Sequence, residues 1–272
     1  MISNNYGNRM KNLLKEYIPM SVKRFLIKIL RIFTYSNYDS TTYWKSRAKE
    51  KNQAAVLWQN EEYNNLYRKE QYQIIQPYLK NLAPNSLVLD IGCGIGVVSN
   101  MMYNINKEIY IDAVDFKEMI DIAKEKYPNS KISYIASSAE DYYIESKKYD
   151  FIISSGCFSA IRDIEKMKVA IKNSALMCKQ DGTILMIDPF HKWNYLARVK
   201  FNSKDVEDYM KELGFILEEK SGVIFWPYRD KLANSNLKGE ALEKKYKEGE
   251  VLLDKLGRHF WADYKILAFK KI

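Results

Sequence analysis

The stretch LVLDIGCGIGVVSN, residues 87–100, decides the fold. An apolar run, Leu87–Ile91, carries an acid at Asp90, and glycines follow at alternate positions, Gly92, Gly94 and Gly96. A strand, a glycine-rich turn and then a helix make a place where a ligand lies against backbone amides at a helix N-terminus. Glycine permits the close approach because no Cβ stands in the way. The dinucleotide fingerprint G-x-G-x-x-G needs glycine at position 97, where this chain has Val97. An acid two residues before the first glycine suits a cationic ligand and would repel a pyrophosphate.

Outward from this turn, apolar runs alternate with amphipathic ones. Strands are predicted at Leu87–Ile91, Ile109–Val114, Ile132–Ala136, Phe151–Ser154 and Thr183–Asp188, with helical patterns such as KEMIDIAKEKY and IEKMKVAIKNSALM between them. Near-continuous apolar strands separated by helices indicate a parallel sheet covered on both faces. Asp181-Gly182 is read as the turn into the fifth strand. Beyond it, SKDVEDYMKELGF reads as a helix stopped at Gly214, followed by a strand at Ile216–Phe225, a charged helix over about 237–256 and a final strand in YKILAFKK. Upstream, the sequence reads as helical from Thr41 to about Leu82. The expected organisation is a basic amphipathic arm over 1–40, a helical cap over 41–84 and an α/β domain over 85–272.

The motif VLDIGCGIG resembles the cofactor site of class I S-adenosylmethionine-dependent methyltransferases. That resemblance implies a Rossmann-like three-layer sandwich with a mostly parallel seven-stranded sheet whose last strand is antiparallel. It implies S-adenosylmethionine as cofactor and S-adenosylhomocysteine as product, with no metal. Asp90, Gly92, Cys93, Gly94 and Gly96 match the positions around the methionine portion. Asp115, 25 residues after Asp90 at the end of the second strand, matches the acid that binds the ribose hydroxyls, with Phe116 beside the adenine. Asp115 also reads as an N-cap for the following helix. In YIASSAEDYY, Ser138, Ala139 and Glu140 match the adenine-contacting segment, although many relatives carry Asp where Ser138 stands; Glu140 or Asp141 could compensate. Ser154, Ser155 and Gly156 match the loop beneath the methionine moiety.

Methyl transfer to a hydroxyl requires a base, and the chain has two histidines. His191 follows the fifth strand in IDPFHKW. His259 precedes the last strand, which starts on the same edge if antiparallel. Both are candidate bases, Asp188 is a third, and each could equally be structural. Phe225, Trp226, Tyr228, Arg229, Tyr43, Trp44 and Arg47 read either as an acceptor rim or as packing between cap and sheet.

The charge is concentrated in the arm: residues 1–51 hold 11 Lys and Arg against 3 Asp and Glu, whereas the remainder is close to neutral within an overall +9. A neutral domain argues against a large nucleic-acid substrate and leaves tRNA open. In the arm, Val22–Phe33 is too short and too charged to span a bilayer, and no signal-peptide cleavage site follows it. It reads as a helix packed on the domain, as a peripheral membrane contact through residues 18–34, or as a nucleic-acid arm. Three dispersed cysteines, Cys93, Cys157 and Cys178, give neither a disulfide framework nor a zinc site. A cytoplasmic protein is expected, with peripheral contact at the inner membrane face. No Asn/Asp-Pro-Pro-aromatic tetrad and no Pro-Cys nucleophile is present, which sets aside DNA-modifying classes. The layout more loosely resembles methyltransferases of bacterial polysaccharide and glycoconjugate pathways. The expected activity is therefore O-methylation of a sugar or nucleotide-linked sugar. The alternatives are a lipid or quinone precursor at the membrane, or a non-catalytic cofactor-binding partner.

Overall fold

The structure, a computed structural model, describes residues 39–50, 52–191 and 201–272. The chain divides into two units, Met1–Asp39 and Ser40–Ile272, and every described helix and strand belongs to the second. The basic arm, with the membrane contact expected at 18–34, lies outside the described residues.

The chain runs α1 (Ser40–Arg47), a 3-10 turn (Asn52–Ala55), α2 (Glu61–Lys80), β1 (Leu87–Ile91), α3 (Val97–Ile105), β2 (Tyr110–Asp115), α4 (Lys117–Lys126), β3 (Ile132–Ala136) and β4 (Tyr149–Ser155). A short 3-10 turn (Phe158–Ala160) leads to α5 (Ile164–Met177) and β5 (Cys178–Asp188). The remainder is α6 (Ser203–Glu212), β6 (Phe215–Phe225), α7 (Trp226–Ala233), α8 (Gly239–Leu256), α9 (Arg258–Trp261) and β7 (Ala262–Lys271).

The strands form one seven-stranded sheet in the order β3-β2-β1-β4-β5-β7-β6. β1, β2, β3, β4 and β5 pair in parallel, and β7 is antiparallel to both β5 and β6. The expected three-layer sandwich is therefore present. Alternation along the strands sends successive side chains to opposite faces. Val88, Phe151, Ile153, Leu185 and Ile187 face α2, α3 and α8, whereas Leu89, Ile152, Ile184 and Met186 face α5 and α6. Each buried residue of this size stabilises the fold by roughly 1.5–3 kcal/mol, so the two faces together fix the strand register.

Local chemistry places the helices. The Asp163 side chain caps α5 by accepting from the backbone N–H groups of Glu165 and Lys166 at 2.9 and 3.2 Å, and Asn202 with Asp205 forms a capping box on α6. Asn60 caps α2 and its amide donates to the backbone oxygens of Ser235 and Leu237, tying the start of α2 to the segment before α8.

The helical reading of 41–82 is corrected to three pieces. Asn52 adopts a left-handed φ of 53°, and the Asn64 side chain pairs with the backbone N–H and carbonyl of Trp58 at 3.2 and 2.8 Å. These contacts hold 52–60 as a connector lying before α2 rather than in it. The expected Asp181-Gly182 turn lies within β5. Asp181 has a φ of 57°, and the pairing with β4 skips from Cys178 to Thr183, so the strand doubles back tightly there.

Candidate cofactor and acceptor site

Asp90 is carried to the end of β1 and is 1% exposed. Its Oδ2 accepts from Ser99 Oγ of α3 at 2.6 Å, while Oδ1 has no hydrogen-bond partner among the described residues. Burial pushes its carboxyl up to about 7, against the opposing effect of the Ser99 bond. The glycines that follow have φ of 76°, 56° and 81°, which side chains rarely adopt. A Cβ on Gly92 would lie 2.3 Å from Cys157 Cβ, and one on Gly94 would lie 2.6 Å from Val56 Cγ1. The backbone N–H groups of Gly92 and Cys93 donate to Val114 O at 2.8 and 3.0 Å, which fastens the turn to β2.

At the end of β2, Asp115 Oδ2 accepts from Gly94 N and Oδ1 from Phe116 N, both at 2.7 Å. Burial pushes this carboxyl up to about 6, and the two backbone bonds work against that rise. The N-cap position of α4 falls on Phe116, with no side-chain cap bond, so Asp115 does not cap that helix in the usual way. A buried carboxylate, Asp90, and a half-buried one, Asp115, therefore flank a bare amide turn, the first with an unused oxygen. That arrangement is complementary to the ammonium, sulfonium and ribose hydroxyls of S-adenosylmethionine. A pyrophosphate there would meet uncompensated negative charge. Among the described residues no cluster of His, Cys, Asp and Glu could hold a metal.

Helix α2 supplies a cation that sequence reading missed. Arg68 Nε donates to Gln53 Oε1 at 3.0 Å and Nη1 to Gln71 Oε1 at 2.6 Å. Gln71 Nε2 in turn donates to Ser155 Oγ at 2.6 Å and to Tyr67 OH at 3.2 Å. The charges of Arg68 and Asp90 are close enough to act on each other, so Arg68 stands over the same edge of β1 and β4. It would hold the carboxylate of the cofactor. A signal was available: Asn64, Tyr67, Arg68, Gln71 and Ile75 recur at helical spacing on one face, and polar groups on an otherwise apolar face need partners.

The remaining residues expected to touch the cofactor spread over β3, β4 and the loops after them. Ser138 Oγ donates to Asp141 Oδ2 at 2.6 Å, so Asp141 is the carboxylate joined to that hydroxyl. Ala139 packs against the α5 face of the core. Glu140 pairs with Lys166 at 3.6 Å, and its backbone oxygen accepts from Asn173. Ser154 is fully buried and spends its hydroxyl on Asp188 Oδ2 at 2.8 Å, whereas Ser155 faces Gln71. The Cys93 and Cys157 thiols are both held well above their ordinary value by burial.

The second half of the site is built where β5 and β7 run antiparallel. Asp188 pairs with Lys265, so His191 and the start of β7 project beyond the same edge. His191 Nε2 lies 3.2 Å from Asp263 Oδ1, and Asp263 Oδ2 lies 3.1 Å from Arg229 Nε. Arg229 Nη1 also pairs with Asp230 at 2.8 Å. The Tyr264 hydroxyl lies 3.8 Å from where a Cβ on Gly156 would stand, which brings β7 against the loop after β4. His259 is placed differently. Its Nδ1 is 3.1 Å from Ser221 O and its Nε2 is 2.9 Å from Ser203 Oγ. The carbonyl can only accept, so Nδ1 carries the proton and Nε2 receives the Ser203 hydroxyl. Burial lowers its affinity for a second proton. Asp188 accepts from Ser154 and Ser159 on its two oxygens and from Ser159 N; it ties down the loop after β4. Of the aromatic residues at this edge, Phe225 is buried against Tyr228 and Trp261, while Trp226 is exposed.

The fold and the glycine turn together define a class I S-adenosylmethionine-dependent methyltransferase domain. Residues 88–182 match the family model described as a methyltransferase domain, and S-adenosylmethionine is the cofactor of that class. A malonyl-[acyl-carrier protein] O-methyltransferase of Bacillus anthracis is 29% identical over 140 residues, half of each chain. The chain thus spans about half the length of that relative. Among solved structures, the N-methyltransferase NodS of Bradyrhizobium japonicum with bound S-adenosylhomocysteine superposes with a TM-score of 0.59 at 13% identity, over 86% of this chain and 99% of that one. Magnesium protoporphyrin IX methyltransferase of Synechocystis gives 0.54 at 13% identity, over 90% and 96%. At such identities these two structures speak for the fold.

Proposed function

We propose that this protein methylates a hydroxyl oxygen of a small-molecule or glycoconjugate acceptor, a sugar or nucleotide-linked sugar, with His191 as general base. The observation that carries this reading is the 3.2 Å contact between His191 Nε2 and Asp263 Oδ1. Bound S-adenosylmethionine supplies a methyl group on a sulfonium that departs as a neutral thioether. Asp90 holds the cationic amino-acid end, Arg68 its carboxylate, Asp115 the ribose hydroxyls, and Phe116 with the Ser138–Glu140 segment the adenine. With the proton on Nε2 directed at Asp263, Nδ1 of His191 is the nitrogen that takes the acceptor's proton, and Asp263 stabilises the imidazolium that results. Asp263 is itself held by Arg229.

The Bacillus relative is named for a malonyl acceptor, whose free carboxylate is already an anion at neutral pH and needs no base. Here a histidine–carboxylate pair stands at the acceptor edge, and the described cation beside it, Arg229, is shared between Asp230 and Asp263. Among the described residues that charge balance supports a hydroxyl over an anionic acceptor. Assay with methyl-labelled cofactor against sugars, nucleotide sugars and a malonyl thioester tests the reading. Label transfer to a hydroxyl that is lost in His191→Gln supports it. Turnover of the malonyl thioester that is unchanged in His191→Gln overturns it.

A further inference from the structure

We infer that Gln53, in the 3-10 turn ahead of α2, is a positioning residue for the cofactor's carboxylate, acting through Arg68; this rests on the reading of S-adenosylmethionine as the ligand. Three hydrogen bonds fix the Gln53 amide. Nε2 donates to Glu61 Oε1 and to Asn65 Oδ1, each at 2.8 Å, and Oε1 accepts from Arg68 Nε at 3.0 Å. Gln71 takes Arg68 Nη1 at 2.6 Å. The guanidinium is thereby clamped on two of its three nitrogens, and Nη2 has no hydrogen bond among the described residues. Both clamps are neutral amides, and no described carboxylate lies within ion-pair distance of Arg68. Its charge is therefore oriented without being cancelled, and burial lowers its proton affinity, the sign of a cation short of counter-charge. A glutamate in the Gln53 position would neutralise the guanidinium and lose the donations to Glu61 and Asn65 that fix the side chain.

The same short segment also reaches the glycine turn. Val56 stands against Gly94, with Cγ1 2.6 Å from where a Cβ would lie, and Ala55 packs with Ile95 and Met119. Arg47 of α1 holds the segment by donating to the backbone oxygens of Ala54 and Leu57. One connector therefore touches both the amide turn and the cation that stands over the edge of β1 and β4. Gln53 is the residue through which placement of that connector sets the angle of Arg68.

The test compares binding of S-adenosylhomocysteine with that of its decarboxylated analogue, which keeps the adenosine and the ammonium. Calorimetry is run on the native protein, Gln53→Ala, Arg68→Met and the double variant. Gln53→Ala should weaken S-adenosylhomocysteine by about tenfold, the size of one hydrogen bond to a charged group, and leave the analogue within about twofold. In the double variant the two losses should fall short of adding, as expected for residues acting on one interaction. Equal weakening of both ligands, or no weakening of either, overturns the inference, because a merely structural role would not distinguish them. If the native protein binds neither ligand, the cofactor reading itself fails. A ligand-free melt of each variant reports whether the fold survives.

Discussion

Asp115 Oδ2 accepts the backbone N–H of Gly94 at 2.7 Å, so the acid that ends β2 grips the middle of the glycine turn that follows β1. In the proposed reading, one carboxylate both shapes the amide turn and offers oxygens to the ribose. Asp115→Ala removes both and leaves the N–H groups of Gly94 and Phe116 without an acceptor. Binding of S-adenosylhomocysteine should fall at least a hundredfold, the loss of two or more hydrogen bonds to a charged group. Thermal shift with and without ligand measures it, and native-like affinity in the variant would show that Asp115 does not face the ligand.

Asp90, buried, and Asp115, half-buried, make ligand-free stability depend on pH. Their folded-state values, about 7 for Asp90 and about 6 for Asp115, lie above the ordinary aspartate value of about 3.9. Between those limits the folded protein binds more protons than the unfolded chain, so the contribution of these groups falls as pH rises from about 4 and is fully lost above about 7. A bound ammonium favours the ionised acids and reverses part of that loss. Stabilisation by S-adenosylhomocysteine should therefore be larger at pH 8 than at pH 5.5, and binding near pH 6.5 should release protons. Calorimetry in buffers of different ionisation enthalpy reads the proton count. An identical thermal shift at both pH values would exclude this coupling.

The glycine turn also predicts an asymmetry between two alanine substitutions. Gly92 and Gly94 both have left-handed φ, so each change carries a conformational cost of about 1 kcal/mol. The added methyl on residue 94 meets the end of the Val56 side chain, which can rotate away. On residue 92 it meets Cys157 Cβ at 2.3 Å, and the loop after β4 has to move. Gly92→Ala should lower the melting temperature by more than Gly94→Ala, and Cys157→Ala should not rescue it because the Cβ remains. Equal melting temperatures for the two variants would show that the loop after β4 yields freely.

Strands and helices were legible in order along much of the chain. β1, β3 and α5 fall where the apolar periods placed them, because a strand buried on both faces and a helix with one apolar stripe leave strong local patterns. Asp90, Asp115 and the three glycines were legible for the same reason, as they sit at strand ends within one βαβ unit. Arg68 and Gln71 were not read, although they share one helical face with Tyr67 and Ile75, because the partner that gives the face its meaning, Ser155, lies 84 residues further along the chain. Asp263 was hidden by topology. It stands beside His191 only because β7 inserts between β5 and β6 in antiparallel register, an order in space that differs from the order in sequence.

That insertion gives the two histidines different expected weights. His191 has an acceptor-only carboxylate on one nitrogen, which orients the ring and leaves the other nitrogen to face the acceptor. His259 already uses both nitrogens, on Ser221 O and Ser203 Oγ, and burial works against its protonation. His191→Gln should lower kcat by about 10²–10⁴, the range for loss of a general base, with the affinity for S-adenosylhomocysteine unchanged. Asp263→Asn should lower kcat less, because it leaves the base and removes only its orienting charge. His259→Gln should cost stability before it costs turnover. Steady-state kinetics on a hydroxyl acceptor with a parallel binding measurement separates these outcomes. Were His259→Gln to abolish turnover while His191→Gln retained it, the base would have to be reassigned to the Ser203–His259 pair.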